Sequence, residues 1–295
     1  MHNPFQEIKS ERDGGDTCRI AQALQGDSNA LEDLILHHQA WIFNIALTMT
    51  GDMGSAEDVT QEVLIKIITK LSAYNPQKAA FRTWLYRIVV NHILNMKENK
   101  KELFFARMVK NNEDRFINNQ PDRRITVRGQ NDKFSEETKA SCILCVLLCL
   151  GRKERMVFTL AVIFDVTDKV GAEICEMSRG NFRQLLSRSR KKVYQYFVNH
   201  CSLFNENNPC TCANQTEYLI QSGMMNPERL INDQNSLGTI QSILGNSAKH
   251  MEDSYDEFLA LFRDRPFLQG PDMVSWLRDL TNSDAYRNLM EFTEL

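Results

Sequence analysis

The 295-residue chain contains no apolar run approaching the roughly 18 residues needed to cross a bilayer, so no membrane insertion is expected. Its N-terminus, Met1-His2-Asn3-Pro4-Phe5-Gln6-Glu7, lacks the basic and apolar regions of a signal peptide, which points to a cytoplasmic location. No segment alternates apolar and polar residues in the manner of a half-buried strand, which excludes a fold built on sheets. There is no glycine-rich phosphate loop, no His-Glu-x-x-His helix and no nucleophile elbow. Common routes to nucleotide hydrolysis, zinc proteolysis and acyl transfer are therefore missing. No catalytic residue, no cofactor and no metal are predicted, and the chain is expected not to be an enzyme.

What is present is ordinary in bulk and uneven in detail. Hydrophobic residues make up 42% and charged residues 25%, which suits a soluble chain of one to three domains. The net charge of −3 conceals an asymmetry. Residues 140–200 hold ten Lys/Arg against five Asp/Glu, a net of +5, whereas residues 201–295 hold six against fourteen, a net of −8. A basic segment followed by an acidic one suggests a nucleic-acid module with a differently employed tail.

Helical periodicity begins near Cys18, after a polar start. Leu31, Leu34, Ile35, His38, Ile42, Ile45, Ala46 and Met49 recur at three- and four-residue steps and predict a buried stripe. Gly51-Asp52-Met53-Gly54 reads as a stop, with Ser55 as the cap of the next helix and Asp58 in a capping-box-like position. Val59, Val63, Ile67 and Leu71 form that helix's inner stripe. Asn75-Pro76 ends it, and a further helix runs from Phe81 to about Lys97. Residues 99–138 lose the apolar stripe and read as a linker with a short helix near Phe104–Val109. A second helical unit starts near Thr138. It ends in two helices at a tight turn around Ser178, the second rich in arginine, as in a helix-turn-helix. Weak helical stretches follow at Gln215–Ser222, Gly238–Leu244, Tyr255–Phe262 and Met273–Leu280.

Three faces carry chemistry. Between Arg179 and Lys192 there are six cations and no acid. Phe182, Leu185, Leu186 and Val193 fall on the inner side of that helix. Arg179, Asn181, Arg183, Gln184, Ser187, Arg188 and Lys191 are left outward, a set suited to paired hydrogen bonds with base edges and to phosphate contacts in a major groove. On the helix from Phe81, Trp84, Arg87, Asn91 and Asn95 step by three and four residues and share one face. Rings and guanidinium planes there can stack on unpaired bases while Asn reads base edges. The third face is acidic, with Glu57, Asp58, Gln61 and Glu62 near a helix start.

Ala56-Glu57-Asp58-Val59-Thr60-Gln61-Glu62-Val63, followed by Phe81-Arg82-Thr83-Trp84-Leu85-Tyr86-Arg87-Ile88 and Asn91, resembles region two of bacterial sigma factors of the extracytoplasmic-function type. Phe182-Arg183-Gln184-Leu185-Leu186-Ser187-Arg188-Ser189-Arg190 resembles the recognition helix of their region four. One departure is that Glu173-Ile174-Cys175-Glu176-Met177 runs straight into Ser178, where such factors often have a Leu-Gly pair before the turn. The resemblance covers roughly residues 20–200. It implies an all-α protein of two small helical domains joined by a flexible linker, with a helical C-terminal extension. The expected boundaries are 18–98 for region two, 99–138 for the linker, 139–200 for region four and 201–295 for an acidic extension.

The resemblance also implies roles. Asp58, Gln61, Glu62 and Ile65 would dock on core RNA polymerase. Phe81, Arg82, Trp84, Arg87, Asn91 and Asn95 would bind the downstream promoter element as single strand. Arg179, Asn181, Arg183, Gln184, Ser187, Arg188 and Lys191 would bind the upstream element as duplex. An anti-sigma factor is a further partner that such proteins admit.

Two other readings compete. A helix-turn-helix regulator acting without polymerase docking leaves the acidic helix and the Trp84 face unexplained. A thiol or metal enzyme in the tail would need His200, Cys201, Cys210 and Cys212 as a centre, but Cys-x-Cys is tighter than the usual zinc spacing and His200 adjoins Cys201. The three cysteines are read as free thiols. Cys142, Cys145 and Cys149 lie on one apolar helix and read as packing groups.

Overall fold

The computed structural model of the chain describes residues 9–110, 131–221, 225, 255–263, 268 and 270–281. Among these residues the fold is all-α, with no strand and one isolated bridge between Cys201 and Cys210. The helices are α1 (Lys9–Leu24), α2 (Ser28–Thr50), α3 (Met53–Thr69), α4 (Phe81–Asn95), α5 (Lys100–Lys110), α6 (Asn131–Leu148), α7 (Arg152–Phe158), α8 (Asp168–Ile174), α9 (Arg179–His200), α10 (Cys212–Gln221), α11 (Tyr255–Arg263) and α12 (Met273–Thr281). A π turn, Thr159–Ile163, continues α7, and a 3₁₀ turn, Leu71–Ala73, follows α3. The predicted helix near Gly238–Leu244 lies outside the described residues. The chain packs as two units. One draws on Met1–Lys97, Asp168–Arg179 and Leu268–Leu295, the other on Glu98–Thr167 and Gly180–Phe267.

In the first unit α2 is the central element, buried along most of its length, with α1, α3, α4 and α12 packed against it. Its start is capped by Asp27, whose side chain accepts from the backbone N–H groups of Asn29 (2.9 Å) and Ala30 (3.2 Å). Its end is closed by Gly51 in the left-handed conformation (φ 67°), whose N–H donates to Leu47 O at 2.8 Å. The next cap is Asp52, not Ser55. Its carboxylate accepts from Ser55 N at 2.8 Å, so α3 starts three residues earlier than the spacing predicted. Helix α1 also begins well before Cys18, and it places Asp16 in the interior, 3.3 Å from Arg82 Nε and 3.6 Å from His38 Nε2. Burial alone would push the Asp16 carboxyl up. The hydrogen bond and charge of His38, with Arg82 and His37, outweigh it and hold the carboxyl below its usual value.

The end of the described chain returns to α2. Asn44 Nδ2 donates to Leu268 O (2.6 Å) and Asn44 Oδ1 accepts from Leu268 N (3.1 Å), so one buried amide pairs with both backbone groups of a single residue. Met273 N donates to Gln39 Oε1 at 3.3 Å, and Arg278 binds Glu32 through two nitrogens at 2.6 and 2.7 Å. Gly270 sits at φ 77°, and a Cβ there would meet Phe43 at 3.0 Å.

In the second unit α6, α7, α9 and α11 enclose a core that includes Ile143, Leu147, Phe158, Val193, Phe197, Phe258 and Phe262. Phe258 and Phe262 come from the acidic extension. They meet Phe158 and Phe197 edge-to-face, with centroids 5.0 to 6.3 Å apart. Helix α5, inside the stretch read as linker, is anchored by Glu102. That carboxylate accepts from Arg152 at 2.7 and 2.9 Å, from Arg155 at 3.0 Å and from Asn99 N at 3.2 Å, while the Glu102 backbone N–H donates to Asn99 Oδ1 at 2.8 Å across the helix start.

Candidate docking and nucleic-acid interfaces

Helix α3 buries Ala56, Val59, Val63, Leu64 and Ile67. That leaves Asp58 and Glu62 exposed and Gln61 and Ile65 half-buried on the opposite side. Glu62 lies 3.4 Å from His92 Nε2, and Lys66 contacts the other ring nitrogen. Burial first, and the Lys66 ammonium second, push His92 below the ordinary imidazole value against the pull of Glu62.

On α4 the predicted single-strand set divides. Phe81 is 1% exposed and Arg82 6% exposed, and both serve the interior. Arg82 is held by Asp16 and by His37 Nε2 at 3.4 Å. Trp84 is half-buried and stacks on Phe81 with centroids 5.6 Å apart, while Tyr74, from the loop before α4, closes on both rings at 5.2 and 5.5 Å. Phe81 thus acts as the floor of an aromatic platform whose outer member is Trp84. Arg87, Asn91 and Asn95 continue the outward face. Asn95 Nδ2 donates to Asn91 O at 2.7 Å. Arg87 stands 3.6 Å from carboxylate oxygens of both Glu173 and Glu176, and Asn91 Nδ2 donates to Glu176 at 3.3 Å. Sequence spacing did not single out Tyr74, Glu173 or Glu176. Tyr74 lies next to the predicted Asn75-Pro76 break, which is the one local hint of its place.

The turn after α8 has the geometry that the missing Leu-Gly pair left open. Glu176 adopts the left-handed conformation (φ 51°), Met177 N donates to Ala172 O at 3.0 Å, and Glu176 N donates to Glu173 O at 3.3 Å. This is a Schellman closure with glutamate in the position glycine usually takes. Helix α9 then begins at Arg179, with Ser178 at the predicted cap position. Phe182, Ser189, Val193 and Phe197 face its core. Arg179, Asn181, Arg183, Gln184, Ser187, Arg188 and Lys191 are all exposed on the other side. Two cations near this face are paired, Arg179 with Asp168 and Lys192 with Glu154, each at 2.8 Å.

Among the described residues no helix is long and apolar enough to cross a membrane. His200 does not join Cys201, Cys210 and Cys212. It lines a separate cleft, with its ring 5.0 Å from that of Tyr196.

The family model for Sigma-70 region 2 matches residues 34–102, and that for Sigma-70, region 4 matches residues 140–193. The chain is 30% identical over 87 residues to the ECF RNA polymerase sigma factor SigW of Bacillus subtilis, an alignment covering 30% of this chain and 46% of that one. It is 24% identical over 189 residues to the ECF RNA polymerase sigma factor SigE of Mycolicibacterium smegmatis, covering 60% of this chain and 66% of that one. It is 34% identical over 76 residues to the RNA polymerase sigma-H factor of Pseudomonas aeruginosa, covering 26% and 39%. The chain therefore spans less than two thirds of the length of each of these relatives. With both models matched in order, α2–α4 in the first and α7–α9 in the second, the chain carries two sigma-70 regions and is similar to RNA polymerase sigma factors of the extracytoplasmic-function group.

Proposed function

We propose that this chain directs core RNA polymerase to particular promoters and helps to melt them, as a non-enzymatic specificity subunit working in the cytoplasm. The observation that carries this reading is the seven-residue polar and cationic face of α9, wholly exposed, on the helix that the region 4 model matches. Arg183, Gln184 and Arg188 suit base edges in a duplex, and Lys191 suits a phosphate. The platform of Trp84 over Phe81, with Arg87, Asn91 and Asn95 beside it, suits unstacked bases of the downstream element. Asp58, Gln61, Glu62 and Ile65 form the docking patch for core polymerase, with α3 held rigid by its buried stripe. Residues 18–98 and 139–200 are the two working domains, 99–138 the connection between them and 201–295 an extension. An anti-sigma factor would act by covering these same faces.

The test is transcription reconstituted from the purified chain and core polymerase on genomic DNA, followed by mapping of start sites. Initiation from a defined set of promoters is expected. Failure of core polymerase both to retain the chain and to initiate with it rejects the reading.

A further inference from the structure

Four thiols from separate parts of the second unit line one cavity. Cys142 comes from α6, Cys201 follows the last turn of α9, and Cys210 and Cys212 stand at the entry to α10. The cavity measures about 30 Å³, enough for a single water-sized sphere, and most of its remaining wall is carbon, including Ile143, Phe197 and Phe204. The segment carrying three of the thiols is fixed by its backbone. Cys210 N donates to His200 O at 3.2 Å, and Ser202 N donates to Cys210 O at 3.0 Å. Asn208 Nδ2 ties the loop to Val198 O (2.8 Å) and Cys201 O (3.0 Å).

Besides the thiols, the polar side chains on the wall are Lys139 and Gln215. The Phe204 N–H closes the same loop on Cys201 O at 3.1 Å. Gln215 is 3% exposed and lines the cavity, with Oε1 3.8 Å from Cys210 Sγ, and its Nε2 is buried without a hydrogen-bond partner. A buried donor left unpaired is costly. A half-turn of the amide would bring Nε2 to the Cys210 sulfur, which accepts well only as a thiolate. Several thiolates cannot crowd an apolar cavity without a cation to neutralise them.

We propose that Cys142, Cys201, Cys210 and Cys212 form a four-thiolate site for a soft divalent cation of the zinc class. With four sulfur ligands the site is closed and structural, leaving no position for substrate. It staples the loop after α9 and the start of α10 to α6. Among the described residues, no three such donors already stand close enough to hold an ion without movement. Zinc–sulfur bonds of about 2.3 Å place the sulfurs about 3.8 Å apart, so loading draws the side chains inward over the cavity. The competing fate of the same thiols is a Cys201–Cys210 disulfide across the backbone bridge.

The full chain, purified without chelator, is expected to carry about one equivalent of zinc by elemental analysis. Stripped and titrated with cobalt(II), it should give intense sulfur-to-metal charge-transfer bands and the strong visible bands of a tetrahedral thiolate site. Cys142→Ser and Cys212→Ser should lower bound zinc below about a tenth of an equivalent, whereas Cys175→Ser, outside the cluster, should leave it unchanged. The proposal is overturned if the unaltered chain binds neither metal, if cobalt gives only the weak bands of an octahedral oxygen site, or if the Cys142→Ser and Cys212→Ser chains bind as the unaltered one does. A freshly isolated, metal-free chain with Cys201 and Cys210 disulfide-bonded overturns it equally. The cobalt spectrum of the unaltered chain decides the matter even where a serine variant fails to fold, and none of these outcomes depends on promoter activity.

Discussion

Arg155 Nη1 lies 3.0 Å from Glu102 Oε1 in the interior of the second unit, with side chains 2% and 1% exposed. Burial disfavours the Arg155 cation more strongly than Glu102 restores it, yet a guanidinium stays protonated at any ordinary pH. The pair is therefore worth most for what its loss would expose.

Glu102→Ala is expected to destabilise the second unit by about 3–5 kcal/mol, because it leaves Arg155 as an uncompensated buried charge. Denaturant unfolding of the full chain checks this. Burial alone would push the Glu102 carboxyl up, but the hydrogen bond from Arg152, the charge of Arg155 and the Asn99 N–H hold it below its usual value. A carboxyl lowered in the folded state contributes stability above its unfolded value of about 4.3, and that stability is lost as pH falls through the folded value. Glu102→Gln should flatten this acid limb. An unchanged limb would show that other carboxyls set it.

Phe258→Ala should cost about 3–5 kcal/mol, since the ring is fully buried against Phe197 and Phe262. Asn44→Ala should cost about 1–3 kcal/mol in the first unit, by leaving the backbone of Leu268 unpaired, and should speed proteolysis between 264 and 281. Deleting residues 201–295 is then expected to unfold both units, since each draws on that segment. A deleted chain with unchanged melting would refute the structural role of the extension.

Glu176→Gly should leave stability unchanged or raise it by up to ~1 kcal/mol, because glycine adopts the left-handed conformation without steric cost. Glu176→Val should instead destabilise, a β-branched side chain being poorly tolerated there. Thermal unfolding of the two variants distinguishes the backbone requirement from loss of the Arg87 and Asn91 contacts, which both substitutions share.

On the proposed duplex-reading face, Lys191→Ala should weaken promoter binding by the holoenzyme about equally across sequences and reduce the slope of log K against log salt by about one. Arg188→Ala should cost about 1–3 kcal/mol and relax preference at a single base position. Binding measured over a salt series on promoter variants checks both, and matching behaviour of the two variants would remove the division into phosphate and base contacts.

Much of this architecture was legible in residue spacing. The stripes of α2, α3 and α4 are long and regular, and the outward set on α9 lies as its periodicity required. Legibility failed where partners are far apart in sequence. Arg82 looks like a base-reading group on a cationic helix, but its carboxylate partner, Asp16, is 66 residues away on a helix whose Gly14-Gly15 pair discourages a helical reading. Phe81 carries the same ambiguity, since a ring that stacks on bases and a ring that floors a core share one pattern. The cysteine set failed for a similar reason. Adjacency suggested His200, whereas Cys142 joins the cavity from another helix. The two tail helices showed their amphipathic patterns but not which surface each would cover.

Leu268 lies 224 residues after Asn44, the amide it satisfies. During synthesis, then, the N-terminal unit emerges first and is finished last. Its central helix must wait, with Asn44 Oδ1 lacking its partner and an apolar flank uncovered, until the ribosome has delivered the strap that closes it. At roughly 5–20 residues per second that interval lasts on the order of ten seconds or more, long enough for a chaperone or a protease to meet the open form.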